Sequence, residues 1–240
     1  MIKTNDYAEY LRQKVKGGEK KRKGERTRDK LKIIAAELLK EKTFRDLKVT
    51  DICERAGIAP GTFYLYYNNK RELTLEVMTE FVEMFNAEVQ SNESTDPFTA
   101  ISVANYAFLK SVIANAGLMR CVLQVSDEEP EFALLQQRIN DRWYTKVATA
   151  VSRRLHLENP SVAFFIVHAL GSMMDQLVYR LVIQRDPYLI KVVEDLDLDD
   201  VGINDYLSVI WYRVLYGEDP PGLETRPARG FKDMKLGRKK

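Results

Sequence analysis

Apolar residues recur along most of this chain at intervals of three and four, the period of a helix with one inward stripe. Leu31, Ile34, Ala35, Leu38 and Leu39 form one such stripe, and Thr27 stands where an N-cap is expected for it. Val49, Ile52, Cys53 and Ala56 repeat the interval over two turns. Gly57 follows, at a position that suits a left-handed cap. Ile58 and Ala59 separate it from Pro60, a residue fitted to the first position of a new helix. That helix carries Phe63, Tyr66 and Tyr67 on one side. A longer one is predicted from near Lys70, with Leu73, Val77, Phe81 and Met84 inward.

Downstream, helix starts are marked by an acceptor side chain placed before a proline. Asp96-Pro97, Glu129-Pro130, Asn159-Pro160 and Asp186-Pro187 each open a helix, and a last one runs from about Gly202 to Tyr216. Asp6 to Lys16 forms a short helix ahead of the first stripe. β-branched alternation is scarce and there are no internal repeats, so the fold class is all-α. The expected organisation is a basic extension over 1–23, a three-helix unit over 24–75, a larger helical domain over 76–218 and a disordered basic tail over 219–240.

Charge divides along the same lines. Residues 1–72 hold 19 Lys and Arg against 11 Asp and Glu, a net of +8. Residues 73–220 hold 11 against 22, a net of −11, and residues 221–240 hold 7 against 2, a net of +5. The head is suited to a polyanion and the body is not. No uninterrupted apolar run reaches the ~18 residues of a membrane helix. The polar, charged start is not a secretory signal. Cys53 and Cys121 lie far apart without a CxxC pattern, as in a cytoplasmic protein without disulfides. His156 and His168 have no second ligand at metal spacing, and no phosphate loop or nucleophile elbow occurs. Catalysis, a metal and a cofactor are therefore not expected.

Lys48 to Tyr67 has the layout of a helix-turn-helix: short helix, turn around a glycine, short helix. No acid follows Glu54 as far as Leu65. Thr62 and Tyr66, one turn apart, offer hydroxyls to phosphate oxygens. Gly61 lets the backbone approach a groove wall, while Pro60, Gly61 and Leu65 would read bases by shape and thymine methyl contact. Lys70 brings charge to a helix start. Lys20, Lys21, Arg22 and Lys23 form a possible minor-groove arm or a solvated tail.

With these pieces in order, residues 27–77 resemble the DNA-binding domain of TetR/AcrR transcriptional regulators. The resemblance rests on Ala35-Ala36, Phe44, Val49-Thr50-Asp51-Ile52, Ala56-Gly57, Gly61-Thr62-Phe63-Tyr64, Tyr66-Tyr67 and Lys70-Arg71-Glu72-Leu73. It implies that Lys48 and Thr50 touch backbone or bases and that Tyr64 contacts phosphate or packs at the groove edge. Lys48 and Ala59 stand where the family usually has a capping Ser or Thr, and Cys53 where it has Ala.

The helix from Pro160 to Gln184 is apolar on nearly every face, which one chain can hardly cover alone. The resemblance implies a homodimer through Gly171, Met174, Val178, Leu207, Ile210, Trp211 and Val214, binding a near-palindromic double-stranded DNA operator. It also implies a small-molecule effector that releases the operator, as in a repressor. Candidate lining residues are Phe85, Tyr106, Met119, Trp143, Tyr144, Phe165, His168 and Met173, although plain core packing is the stronger reading for each. Their apolar character suits a hydrophobic or amphipathic effector, the acidic body a cationic one. A helical lipid- or partner-binding dimer without specific DNA binding is the competing reading; no membrane partner is expected under the first.

Overall fold

The computed structural model describes residues 6–17, 22–89, 96–125 and 130–234. They are helical, and no strand occurs among them. The helices are α1 (Tyr7–Gly17), α2 (Lys23–Glu41), α3 (Val49–Ala56), α4 (Pro60–Phe63), α5 (Lys70–Val89), α6 (Pro97–Ala114) and α7 (Ala116–Val125). Then come α8 (Pro130–Arg154), α9 (Pro160–Val178), α10 (Pro187–Asp195) and α11 (Asp200–Tyr216). A π turn, Tyr179–Gln184, continues α9.

The caps explain these boundaries. Asp96 Oδ2 accepts the Thr99 N–H at 2.7 Å, Asn159 Oδ1 that of Ser161 at 3.0 Å, and Asp186 Oδ1 that of Tyr188 at 3.0 Å. Each satisfies a first-turn amide that has no intrahelical acceptor. One cap differs from expectation. Helix α2 starts at Lys23, so Thr27 lies inside it and donates to the Lys23 carbonyl at 3.1 Å. The start is closed by Glu25, whose carboxylate accepts the Arg22 N–H at 2.8 Å.

The chain forms two compact units, Met1–Asn86 with Ser111–Ile139, and Ala87–Lys110 with Asn140–Lys240. This division departs from a head over 24–75 and a body over 76–218, because α1 and α7 pack with the head. Tyr7 is fully buried, its ring edge-to-face with Phe81 at 5.7 Å. Its N–H donates to Asn115 Oδ1 at 2.9 Å. Lys40 pairs with Asp6, and Arg12 with Glu37. Helix α7 reaches α2 through Gly117, where a Cβ would run into the Leu39 carbonyl.

In the second unit, α9 turns Ala163, Val167, Leu170, Met174 and Val178 inward. Its other face leaves Val162, Phe165, Ala169 and Met173 exposed, Phe165 by 77%. The expected dimer surface is therefore corrected. Met174, Val178, Leu207 and Trp211 are buried within their own chain, Ile210 is half-buried, and Val214 is exposed. Gly171 makes room for the ring of Tyr144 from the same chain, not for a partner helix. Pro160–Gln184 is long and apolar enough to cross a membrane by length and composition alone.

The carboxyl-terminal segment is also corrected, because it folds back as far as Met234. Leu223 and Ala228 join a core of Phe98, Val209 and Tyr212. Asp205 accepts the Ala228 N–H at 3.0 Å and pairs with Arg226 at 3.2 Å. The Arg226 guanidinium also lies 3.9 Å from the Phe98 ring centre, a cation–π contact.

Candidate nucleic-acid interface

The loop before α3 is set by one lysine. Lys70 donates to the carbonyls of Phe44, Arg45 and Leu47 at 2.8, 3.0 and 2.7 Å. Its three N–H donors are thus used inside the head, and burial lowers its pKa. The expectation that Lys70 meets phosphate is corrected: it ties the loop that delivers Lys48. The missing Ser or Thr cap at Lys48 is made good by Asp51, whose carboxylate accepts the Lys48 N–H at 3.1 Å. A hydrogen bond from Lys42 and then this amide hold the Asp51 carboxyl below its usual range. At the other end of α3, Gly57 adopts φ 62°, and the Lys30 ammonium donates to the Ala56 carbonyl at 2.6 Å.

Helix α4 is a single turn with Pro60 first, so it needs no cap on a proline nitrogen that lacks a proton. Beyond it the chain coils tightly: the Leu65 N–H donates to Thr62 O at 3.3 Å and that of Tyr66 to Phe63 O at 2.9 Å. Phe63 and Tyr67 are thereby buried, the Tyr67 ring under the Arg28 guanidinium at 4.9 Å. Lys48, Thr50, Pro60 and Gly61 are exposed, as are Tyr64 (56%) and Leu65 (79%), while Thr62 and Tyr66 are half-buried. Tyr66 packs by Gly24 at the start of α2, next to the exposed Arg22 and Lys23. Lys20 and Lys21 lie outside the described residues.

Gly61 is the informative position. It does not have a positive φ, and a Cβ there would meet nothing within 4 Å. Neither its backbone nor its neighbours within the chain require a glycine. The space beside it is open.

The residue segment carrying this geometry matches the family model described as bacterial regulatory proteins, tetR family, over residues 34–77. Over these residues the chain carries the DNA-binding domain that the family model describes. The match and the relatives' names support a DNA-binding, helix-turn-helix regulator, and the described residues form an all-α fold. The fatty acid metabolism regulator protein of Bacillus subtilis is 25% identical over 111 residues, 45% of this chain and 55% of that relative's length. The HTH-type transcriptional regulator EthR of Mycolicibacterium smegmatis is 24% identical over 197 residues, 78% of this chain and 85% of the relative. Among solved structures, the fatty acid degradation regulator FadR from Bacillus halodurans aligns with a TM-score of 0.59 at 18% identity, covering 83% of this chain and 98% of that one. A TetR-family regulator from Streptomyces coelicolor aligns at 0.64 and 13% identity, covering 88% and 96%.

The effector candidates scatter. Phe85 and Met119 are buried in the first unit. Tyr144 is buried against α9, its hydroxyl donating to Asp175 at 2.9 Å and its ring 4.8 Å from that of His168. Phe165, His168 and Met173 lie on the exposed face of α9, and Tyr106 is half-buried on α6. Trp143 does line a cavity in the second unit, together with α6 and α11 residues that hydropathy does not distinguish from core.

Proposed function

We propose that this chain is a repressor that binds a near-palindromic operator as a homodimer and is released by a small hydrophobic or amphipathic effector. The observation that carries it is the open space beside Gly61, with Lys48, Thr50, Tyr64 and Leu65 exposed in the same helix-turn-helix. Thr62 and Tyr66 complete it, with Arg22 and Lys23 at its edge.

Dimerisation uses the outer stripe of α9. Val162, Phe165, Ala169 and Met173 follow the three- and four-residue spacing of a helix seam, with Val214 exposed on α11. A second copy of the same helix satisfies this stripe isologously and brings two heads to successive turns of a duplex. The effector acts by preferring a dimer whose heads are wrongly spaced, a coupling of about 1–3 kcal/mol that the operator returns in equal measure.

Selection of binding sites from random duplex DNA tests the reading, with wild-type protein and Thr62→Ala/Tyr64→Ala. A near-palindrome recovered by wild type alone supports it. No enriched sequence at low salt, with liposome binding equal in both proteins, overturns it in favour of a lipid-binding dimer.

A further inference from the structure

Two consecutive tyrosines follow the exposed Tyr64 and Leu65, and one face of α2 receives both. Tyr66 lies against Gly24, its ring and hydroxyl 3.8 Å from where a Cβ of that glycine would stand. One turn along the same face, the Arg28 guanidinium sits 4.9 Å from the centre of the Tyr67 ring, a cation–π contact. Tyr67 is buried, with its ring centre 6.0 Å from that of Phe63, and its N–H donates to Phe63 O at 3.1 Å. Phe63 in turn meets the exposed Tyr64 edge-to-face at 5.4 Å. A line of contacts thus runs from Arg28 through the core of the head to Tyr64.

Arg28 is itself held. Its Nη2 donates to Glu76 Oε2 at 2.6 Å and its Nε to Glu76 Oε1 at 3.3 Å, a forked pair that fixes the guanidinium plane. Glu76, on α5, also pairs with Lys32 at 3.4 Å, and the nearly buried Lys32 donates to Glu80 at 2.6 Å. Burial alone would raise the Glu76 carboxyl, but the Arg28 hydrogen bond and then the Lys32 charge hold it below its ordinary value. A lysine at position 28 would keep the charge and lose both the fork and the flat face laid on Tyr67.

We infer that Arg28 and Glu76 are positioning residues for duplex binding: they fix Tyr67, and through it the turn that presents Tyr64 and Tyr66, without touching nucleic acid themselves. The inference rests on the DNA-binding reading of that turn and adds two residues that act behind it. By letter alone Arg28 is one more cation of a basic head and would be counted as a phosphate ligand. The two roles differ in sign. A phosphate ligand released by Glu76→Gln, in a head that has also lost an acid, would bind a polyanion more tightly. A positioning pair that has lost its charge would bind less tightly.

Wild type, Arg28→Lys, Glu76→Gln and the double variant are titrated with one selected duplex at several salt concentrations. Circular dichroism establishes that each is folded, and stoichiometric titration sets its active fraction. Each single variant should bind about fivefold more weakly, within the range for residues coupled by contact. The double variant should bind no more weakly than the singles, and the salt slope should stay that of wild type. Where one single variant does not fold, the other decides. Tighter binding by Glu76→Gln, wild-type affinity in the single variants, losses that multiply in the double variant, a flattened salt slope, or a loss confined to the active fraction each overturns the inference. These outcomes leave the DNA-binding reading standing. A wild type that binds no duplex at low salt overturns that reading, and the inference with it.

Discussion

The edge of the head from Lys48 to Tyr66 and the outer face of α9 both look outward, but different residues are left out. In the head, the core takes Ile52, Phe63, Tyr67 and Leu73 almost completely, so the exposed set is mostly polar or hydroxyl-bearing, with Leu65 projecting alone. On α9 the core takes one stripe and a second apolar stripe remains. An isolated exposed leucine is ordinary, whereas a periodic apolar stripe marks a face that another surface covers. The first region suits a hydrated polyanion and the second a dry partner.

The comparison breaks most severely if the head's own scaffold is removed. Tyr7→Ala should cost about 3–5 kcal/mol, the usual range for emptying a large aromatic site, read as a lower denaturation midpoint. An unchanged midpoint would mean that α1 is not part of the head's core. Next is the α9 stripe. Phe165→Glu should weaken self-association by at least ~30-fold, the effect of losing a central contact worth about 2 kcal/mol. Sedimentation equilibrium reads this, and an unaltered dimer would place the interface elsewhere.

Gly61→Ala sharpens the contrast, because nothing inside the chain occupies the space of the new methyl. Stability should hold or rise by up to ~1 kcal/mol, while duplex affinity falls about tenfold, at the low end of a lost specific contact. Equal duplex affinity would show that the backbone does not approach the groove there. Lys48→Ala should flatten the salt dependence of duplex binding by about one unit, and Lys70→Ala should not. A flattened slope for Lys70→Ala would return that lysine to the phosphate backbone.

The smallest effect is one of pH. The Asp51 carboxyl has a folded pKa below its ordinary 3.8, so its contribution to the head is complete above that value. It is lost as pH falls through the folded pKa. The protection of the Lys48 amide relative to its intrinsic exchange rate should fall there, and Asp51→Asn should remove that pH-dependent change in protection.

Most helices, most boundaries and the helix-turn-helix were legible in residue order because they depend on local chemistry. Periodic apolar spacing, an acceptor before proline, and a left-handed Gly57 act within a few residues of themselves. That Lys48, Thr50, Pro60, Gly61, Tyr64 and Leu65 stay outside the core was legible for the same reason. Lys70 was not: its partners at 44, 45 and 47 lie more than twenty residues away, and a lysine facing carbonyls has the same letter as one facing phosphate. The two faces of α9 could not be assigned either, since an apolar stripe does not say whether its own chain or a copy covers it. Nor did hydropathy separate the cavity's wall from core, or the ordered carboxyl-terminal segment from a mobile one. Periodicity reports that a side chain leaves water; only the tertiary structure decides which neighbour receives it, because that depends on contacts between residues far apart in sequence.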